Sequence, residues 1–180
     1  DLKDNELQRG RNFVVDEQGR IRKRTGSRQF GQNLVAGQQI VAMHHDVNGL
    51  FVATDDASPG IVYKLASATL TNDIAAGATS IAITAGVFTA TNSVVEIEGD
   101  LCNYTAGGGG ATLTTVTNVT SAHSAGAPVN QWRTIGALTG MDNTSGCWFS
   151  YLNALTIICG GDGDMFTYDG TNISAISGEP

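Results

Sequence analysis

Beyond its first 28 residues the chain is nearly devoid of positive charge. Residues 1–28 hold eight of the ten Lys and Arg with five of the seventeen acids, a net of +3. The other 152 residues carry two bases and twelve acids, a net of −10, and the two parts make up the −7 of the whole. A basic leader on an acidic body places the candidate phosphate contacts in the leader. Proline is scarce, at three residues, and no window sustains a 3.6-residue apolar period. Glycine and threonine are frequent and β-branched residues dominate the apolar set, which favours strands over helices. The longest apolar runs fall well short of a membrane span. The opening residues lack the segments of a signal peptide. The sequence starts at Asp1 rather than Met, as processing or a start lying ahead of Asp1 would leave it.

Cysteine is sparse too. Cys102, Cys147 and Cys159 are odd in number and widely spaced, which fits neither a zinc site nor a disulfide framework. Cys147 and Cys159 fall on neighbouring predicted strands and could approach each other; their ordinary reading is as small buried apolar residues. Asn103, Asn118, Asn143 and Asn172 each begin an Asn-x-Ser/Thr triplet, which chance supplies in a Thr-rich chain.

What the chain does contain is a pattern that occurs twice. The first copy spans Ile40–Leu65 and resumes at Gln131–Ile135; the second spans Cys147–Ile176. Each reads as four short strands separated by Asn, Asp and Gly turns: IVAMHH, GLFVAT, IVYKL and WRTI, then CWFSYL, ALTIIC, DMFTYD and NISAIS. Four-stranded meanders in tandem are how β-propeller blades are written in sequence. The expected fold is therefore all-β, with β-propeller-like four-stranded blades and an inserted small β-sandwich or barrel domain. Three parts are expected: residues 1–38 as a basic hairpin arm and linker, 39–65 with 131–180 as the blade region, and 66–130 as the insertion. The insertion reads as five or six strands, with Gly107–Gly110 a flexible hairpin tip rather than a phosphate loop, since no Lys-Ser/Thr ends it and no helix follows.

Few residues carry a chemical signal. In the leader, Arg11–Val15, a turn at Asp16–Gly19 and Arg20–Arg24 read as a hairpin whose second strand is a solvated, charge-blunted edge. Arg20, Arg22, Lys23, Arg24 and Arg28 are the candidates for contact with DNA or with an acidic neighbouring subunit. No aromatic interleaves them as single-strand binding would require. His44 and His45 point to opposite faces of one strand and do not share a metal. Asp55 and Asp56 precede Pro59-Gly60, which is turn chemistry. Gly160–Asp164 with Asp169 is calcium-like but lacks the closing Glu. Nothing resembles a nucleophile elbow. No catalytic, cofactor or metal residue is expected.

The stretch Asn12 to Gly26 resembles the opening of structural proteins of tailed phages: the tail tubular or nozzle proteins of short-tailed phages and the related packaged-DNA stabilisation proteins. Thr25 stands where that opening usually has proline. Trp132 to Gly136, Leu138 to Gly140, Gly161 to Asn172 and Ile176 to Pro180 are similar to the same proteins. The insertion separately resembles a small β-domain of phage tails, through Ile74 to Ile81, Glu98 to Thr105 and Ala122 to Val129. The resemblance implies a virion component without catalysis or cofactor. It would build a homo-oligomeric ring with a propeller platform around the DNA channel, against neighbouring tail or portal-adaptor proteins and without a membrane. The alternative is a carbohydrate- or receptor-binding β module of a tail, for which the insertion offers only Phe88 and Tyr104 as aromatics. Two blades do not close a propeller. Further blades are therefore expected from beyond Pro180 or from neighbouring subunits.

Overall fold

The computed structural model describes residues 13–15, 21–23, 34, 39–56, 59–161 and 163–176, and among these there is no helix. The strands, in chain order, are β1 Phe13–Val15, β2 Ile21–Lys23, β3 Ile40–Asp46, β4 Gly49–Thr54, β5 Val62–Thr69, β6 Ser80–Ala82 and β7 Thr91–Ile97. They continue with β8 Asp100–Ala106, β9 Thr112–Thr114, β10 Pro128–Thr134, β11 Cys147–Leu152, β12 Leu155–Gly160, β13 Met165–Tyr168 and β14 Ile173–Ala175. β1 and β2 form an antiparallel hairpin, the predicted leader hairpin in its backbone pairing. The remainder is an eight-stranded sheet in the order β3-β4-β5-β10-β7-β8-β9-β6 and a four-stranded sheet in the order β11-β12-β13-β14.

Both predicted meanders are therefore present. β3, β4, β5 and β10 are consecutive antiparallel neighbours, although 58 residues separate β5 from β10 in sequence. The sheets are open rather than closed on themselves among the described residues, and no ring of blades is formed by them. Equivalent hairpins turn differently. Asn48 N–H donates to Asp46 Oδ1 (2.8 Å) and Gly49 takes the left-handed φ of +132°. In the second meander Asn153 and Ala154 both have positive φ, 51° and 67°, the combination of the tight hairpin turn whose twist matches its strands.

The segment between β5 and β10 departs from its expected edges. β5 and β10 pair without interruption from Tyr63↔Thr134 to Thr69↔Pro128. The predicted boundaries at Ala66 and Asn130 thus fall inside one ladder, with Leu65 opposite Trp132 and Ala66 opposite Gln131. β10 also pairs with β7 through Val129↔Ile97 and Asn130↔Glu96, which merges the segment into the first sheet. Backbone donors on β10 need partners on both sides, and extending the ladder satisfies them. The sheet then curls: a bridge Leu70↔Ile83, with Thr71 N–H to Ala82 O and Thr84 N–H to Thr69 O (both 3.0 Å), brings the β6 edge back to the end of β5.

Apolar residues gather in three clusters. Ile81, Ile83, Phe88, Val95, Ile97, Tyr104, Leu113 and Val129 belong to the one inside the curl. Phe51, Ala53, Val62, Leu138, Met141, Cys147, Ile158, Phe166 and Tyr168 form the second, between the two meanders. Val52, Tyr63 and Trp132 lie on the opposite face of the first meander, with Leu34 against them. Alternation along β4 and β5 produces the split, because Phe51 and Val52 must face opposite ways.

Candidate assembly surfaces

Three surfaces are candidates: the leader hairpin, the contact between the meanders, and the outer face of the second meander. In the hairpin Arg22 pairs with Val14 and Lys23 with Phe13 in the backbone register. Arg20, Arg24 and Arg28, with the turn Asp16–Gly19, lie outside the described residues.

The contact between the meanders is aromatic at its middle and polar at its edge. His44 stacks on Phe149 with centroids 5.5 Å apart and planes 5° apart, and Phe51 meets Tyr168 edge-on at 5.7 Å. Such pairs add stability beyond the area they bury. At the edge, Asn48 Nδ2 donates to Ala154 O and Thr156 Oγ1, both at 3.0 Å, and Thr156 Oγ1 donates to Asp46 Oδ2 at 2.7 Å. His44 Nε2 lies 3.0 Å from the other side of this group, at the same Asp46 oxygen. The turn of the first meander thereby grips the first turn of the second. His44 has a packing role, and His45 is exposed.

On the second sheet, alternation sends Cys147, Phe149, Ile158 and Phe166 inward and their strand neighbours outward. The outward row runs Trp148↔Cys159↔Met165 across β11, β12 and β13. Trp148 is 59% exposed, Leu152 58%, Met165 43% and Ile176 43%. Four large apolar side chains on one sheet face exceed the scattered exposure normal for a surface. Phe149, Phe166 and Tyr168 thus pack between the two meanders, and Trp148 faces out.

Buried polar groups fasten the curl to the first meander. Gln131 is fully buried: its Nε2 shares two hydrogens among Ser93 Oγ (2.9 Å), Val94 O (2.8 Å) and Tyr104 Oη (3.1 Å), and its Oε1 accepts from Thr89 N–H (2.7 Å). Glu96, also fully buried, accepts from Asn130 Nδ2 (3.0 Å) and Gly99 N–H (2.6 Å). Further along, buried His123 is clasped by two carboxylates, with Nδ1 at 3.1 Å from Glu98 Oε2 and Nε2 at 3.0 Å from Asp100 Oδ2. Burial pulls the His123 pKa down, but the hydrogen bonds and charges of Glu98 and Asp100 outweigh it, and the net shift is upward. Burial pushes Asp100 the other way, yet hydrogen bonds from Thr120, Ser121 and His123 bring it to about 2. The sequence reading passed over this cluster; only the spacing of acids at 98 and 100 hinted at it.

The remaining candidates resolve simply. Cys147 and Cys159 carry free thiols on opposite faces, Cys147 buried between the meanders and Cys159 half-buried on the outer row. Burial pushes the thiols of Cys102 and Cys147 up to about 12. Asp55 Oδ1 accepts from Gln39 N–H across the strands (2.6 Å) and Asp56 from the Thr54 hydroxyl, so both carboxylates are engaged by nearby backbone and hydroxyl donors. Asn143 is fully buried, which removes it as a glycan acceptor. Gly107–Gly110 is not a loose tip. A Cβ on Gly108 would sit 1.8 Å from Thr89 O, and Gly108 O accepts from Phe88 N–H at 3.0 Å. Glycine is needed there for close approach to the loop that leads into β7. Among the described residues no group of three or more His, Cys, Asp or Glu is placed to hold a metal ion, and no helix long and apolar enough to cross a membrane occurs.

No protein family, curated protein or solved structure matches the chain.

Proposed function

We propose that this protein is a structural, non-enzymatic component of a tailed-phage particle. It would be part of a tail nozzle or head-to-tail ring whose subunits surround the DNA channel. One observation carries the reading: two four-stranded meanders pack face to face, and the outer face of the second offers Trp148, Leu152, Met165 and Ile176 to solvent. Repeat units of this kind bury their faces by stacking on neighbours. In this reading the first two propeller-like blades await a third, from further sequence or from another subunit. The segment from 66 to 130 is a small inserted β-domain held on the β5–β10 stem. Arg20, Arg22, Lys23, Arg24 and Arg28 of the leader touch DNA or the acidic body of a neighbour, contacts that salt weakens. Neighbouring tail or portal-adaptor proteins complete the site in the virion. The carbohydrate-binding alternative loses ground because Phe88 and Tyr104, the insertion's only aromatics, are both buried.

Sedimentation velocity with electron microscopy tests this. The chain is expected to form oligomers, with rings among them, and Trp148→Ser with Met165→Ser is expected to dissociate them while leaving the far-ultraviolet spectrum unchanged. A compact monomer with a cooperative melt and no dye-binding apolar surface would overturn both the blade count and the assembly role.

A further inference from the structure

The two cations of the acidic body stand side by side. Lys64 on β5 and Arg133 on β10 are direct cross-strand partners, and residues 29–180 contain no other Lys or Arg. Phe51 pairs with Lys64 in turn, so all three occupy the face that looks toward the second meander. Like charges directly opposite on an antiparallel pair destabilise it. Lys64 and Arg133 are the only Lys and Arg of these 152 residues, yet they are set opposite each other, and no carboxylate forms an ion pair with either among the described residues.

Both line a cleft of about 510 Å³ at the margin of the contact between the meanders, walled by Gly86 and Val87 on one side and by Tyr168, Gly170 and Thr171 on the other. Their head groups are held by neutral acceptors. Lys64 Nζ donates to Tyr168 Oη and Gly170 O, each at 3.3 Å, and stands 5.1 Å over the Tyr168 ring. Arg133 Nη1 donates to the Val87 carbonyl. An ammonium has three donors and a guanidinium five, so each keeps N–H groups for a ligand without giving up these holds. The acid in the cleft's turn, Asp169, is occupied by its own loop, accepting from Thr171 N–H (2.8 Å) and Asn172 N–H (2.6 Å).

We propose that this cleft binds a small oxyanion: a carboxylate, sulfate or phosphate group. The planar fork of Arg133 takes two oxygens and Lys64 supplies a fixed point charge beside it. The surrounding body is net negative, which repels anions at long range and leaves this pair as the local exception. The cleft's size also admits a ligand of one sugar ring, so the oxyanion is either free or carried on an acidic sugar. The site stands apart from the assembly role proposed above.

Titrating the full chain with sulfate, phosphate, glucuronate and neutral glucose, at constant ionic strength in chloride, tests the proposal through the backbone amide resonances of Val87, Gly170 and Thr171, which line the cleft. Saturable shifts are expected with the three anions and none with glucose. Arg133→Gln and Lys64→Met are each expected to weaken binding by at least ~10-fold, the loss of one charged hydrogen-bonding group. If Arg133→Gln fails to fold, Arg133→Lys keeps the charge, loses the fork and should still weaken binding. Glucuronate binding more tightly than the inorganic ions supports the sugar acid as the source; equal affinities support the bare oxyanion. Shifts that do not saturate, or that persist unchanged in Lys64→Met, mean ordinary screening and overturn the site.

Discussion

The first meander has two neighbours, and it is joined to them by different physics. The second meander lies against its Phe51 face, with side chains in contact and no strand ladder shared among the described residues. The curl that follows β5 shares its strands: β5 and β10 run from one into the other, and Gln131, Asn130 and Glu96 fasten the junction with buried hydrogen bonds. An apolar contact depends on area and shape, so it can be loosened by degrees. A junction of continuous backbone and satisfied polar groups is closer to all-or-none, because each lost partner leaves a buried orphan. The difference fits the proposed roles: stacked sheets can be offered to further sheets, while an insertion must be carried rigidly.

The largest test of this contrast removes Phe51, which is fully buried between the meanders. Phe51→Ala deletes the ring that meets both Phe149 and Tyr168, and is expected to cost about 3–5 kcal/mol. Hydrogen exchange should then rise in β11 to β14 first, with the amides of β7 and β8 keeping their protection. Equal loss in both regions would show that the two joins form one cooperative unit.

Much of this architecture was legible in the sequence, for a definite reason. Wherever short apolar runs of strand length lie between Asn, Asp and Gly turns, as in Gly49–Thr54 and Leu155–Gly160, the strand follows from the run and its bounds. The tandem meander could be read even across its interruption. The reach of β5 to Thr69 and of β10 back to Pro128 could not. Ala66-Ser67-Ala68 and Val129-Asn130-Gln131 have no strong strand preference, and their extension is imposed by pairing with each other. Gly108 looked flexible because its partner, Thr89, lies far back in the chain. For the same reason the Lys64–Arg133 pair is invisible until β5 and β10 are set in register. Of the leader, the sequence and the backbone pairing agree on a hairpin.

A smaller and reversible perturbation acts on the curl alone. His123 is held between Glu98 and Asp100, with a folded pKa raised above its ordinary value of about 6.5. A raised value means the folded state binds the proton more tightly than the unfolded chain does. The clasp's contribution is therefore complete below about 6.5 and is lost as pH rises through the folded value. Asp100, brought to about 2, works the other way, contributing above its ordinary range and losing this as pH falls toward 2. Urea midpoints followed by exchange at β7 and β8 should decline from pH 6 toward pH 9, and His123→Gln should flatten that decline. A slope that survives in His123→Gln would assign the pH dependence to other groups and remove the clasp from the account of the curl.

The smallest effect concerns the hairpin that the first meander grips. Its turn, Asn153-Ala154, places both residues at positive φ, whereas the corresponding turn of the first meander leaves that conformation to Gly49. Asn tolerates the left-handed region; alanine pays for its Cβ there, about 1–2 kcal/mol. The Ala154 carbonyl also accepts from Asn48 Nδ2 at 3.0 Å, so the strained turn is part of the contact between the meanders. Ala154→Gly relieves the clash at the cost of a freer unfolded chain, leaving an expected gain of about 0.5–1 kcal/mol. Because the backbone carbonyl is retained, the grip of Asn48 should persist and the gain should appear at β11 and β12 rather than in the curl. Chemical denaturation with site-resolved exchange measures both. A loss of stability instead would mean that the Ala154 methyl packs favourably in this turn, and that the two hairpins differ by fit rather than by strain.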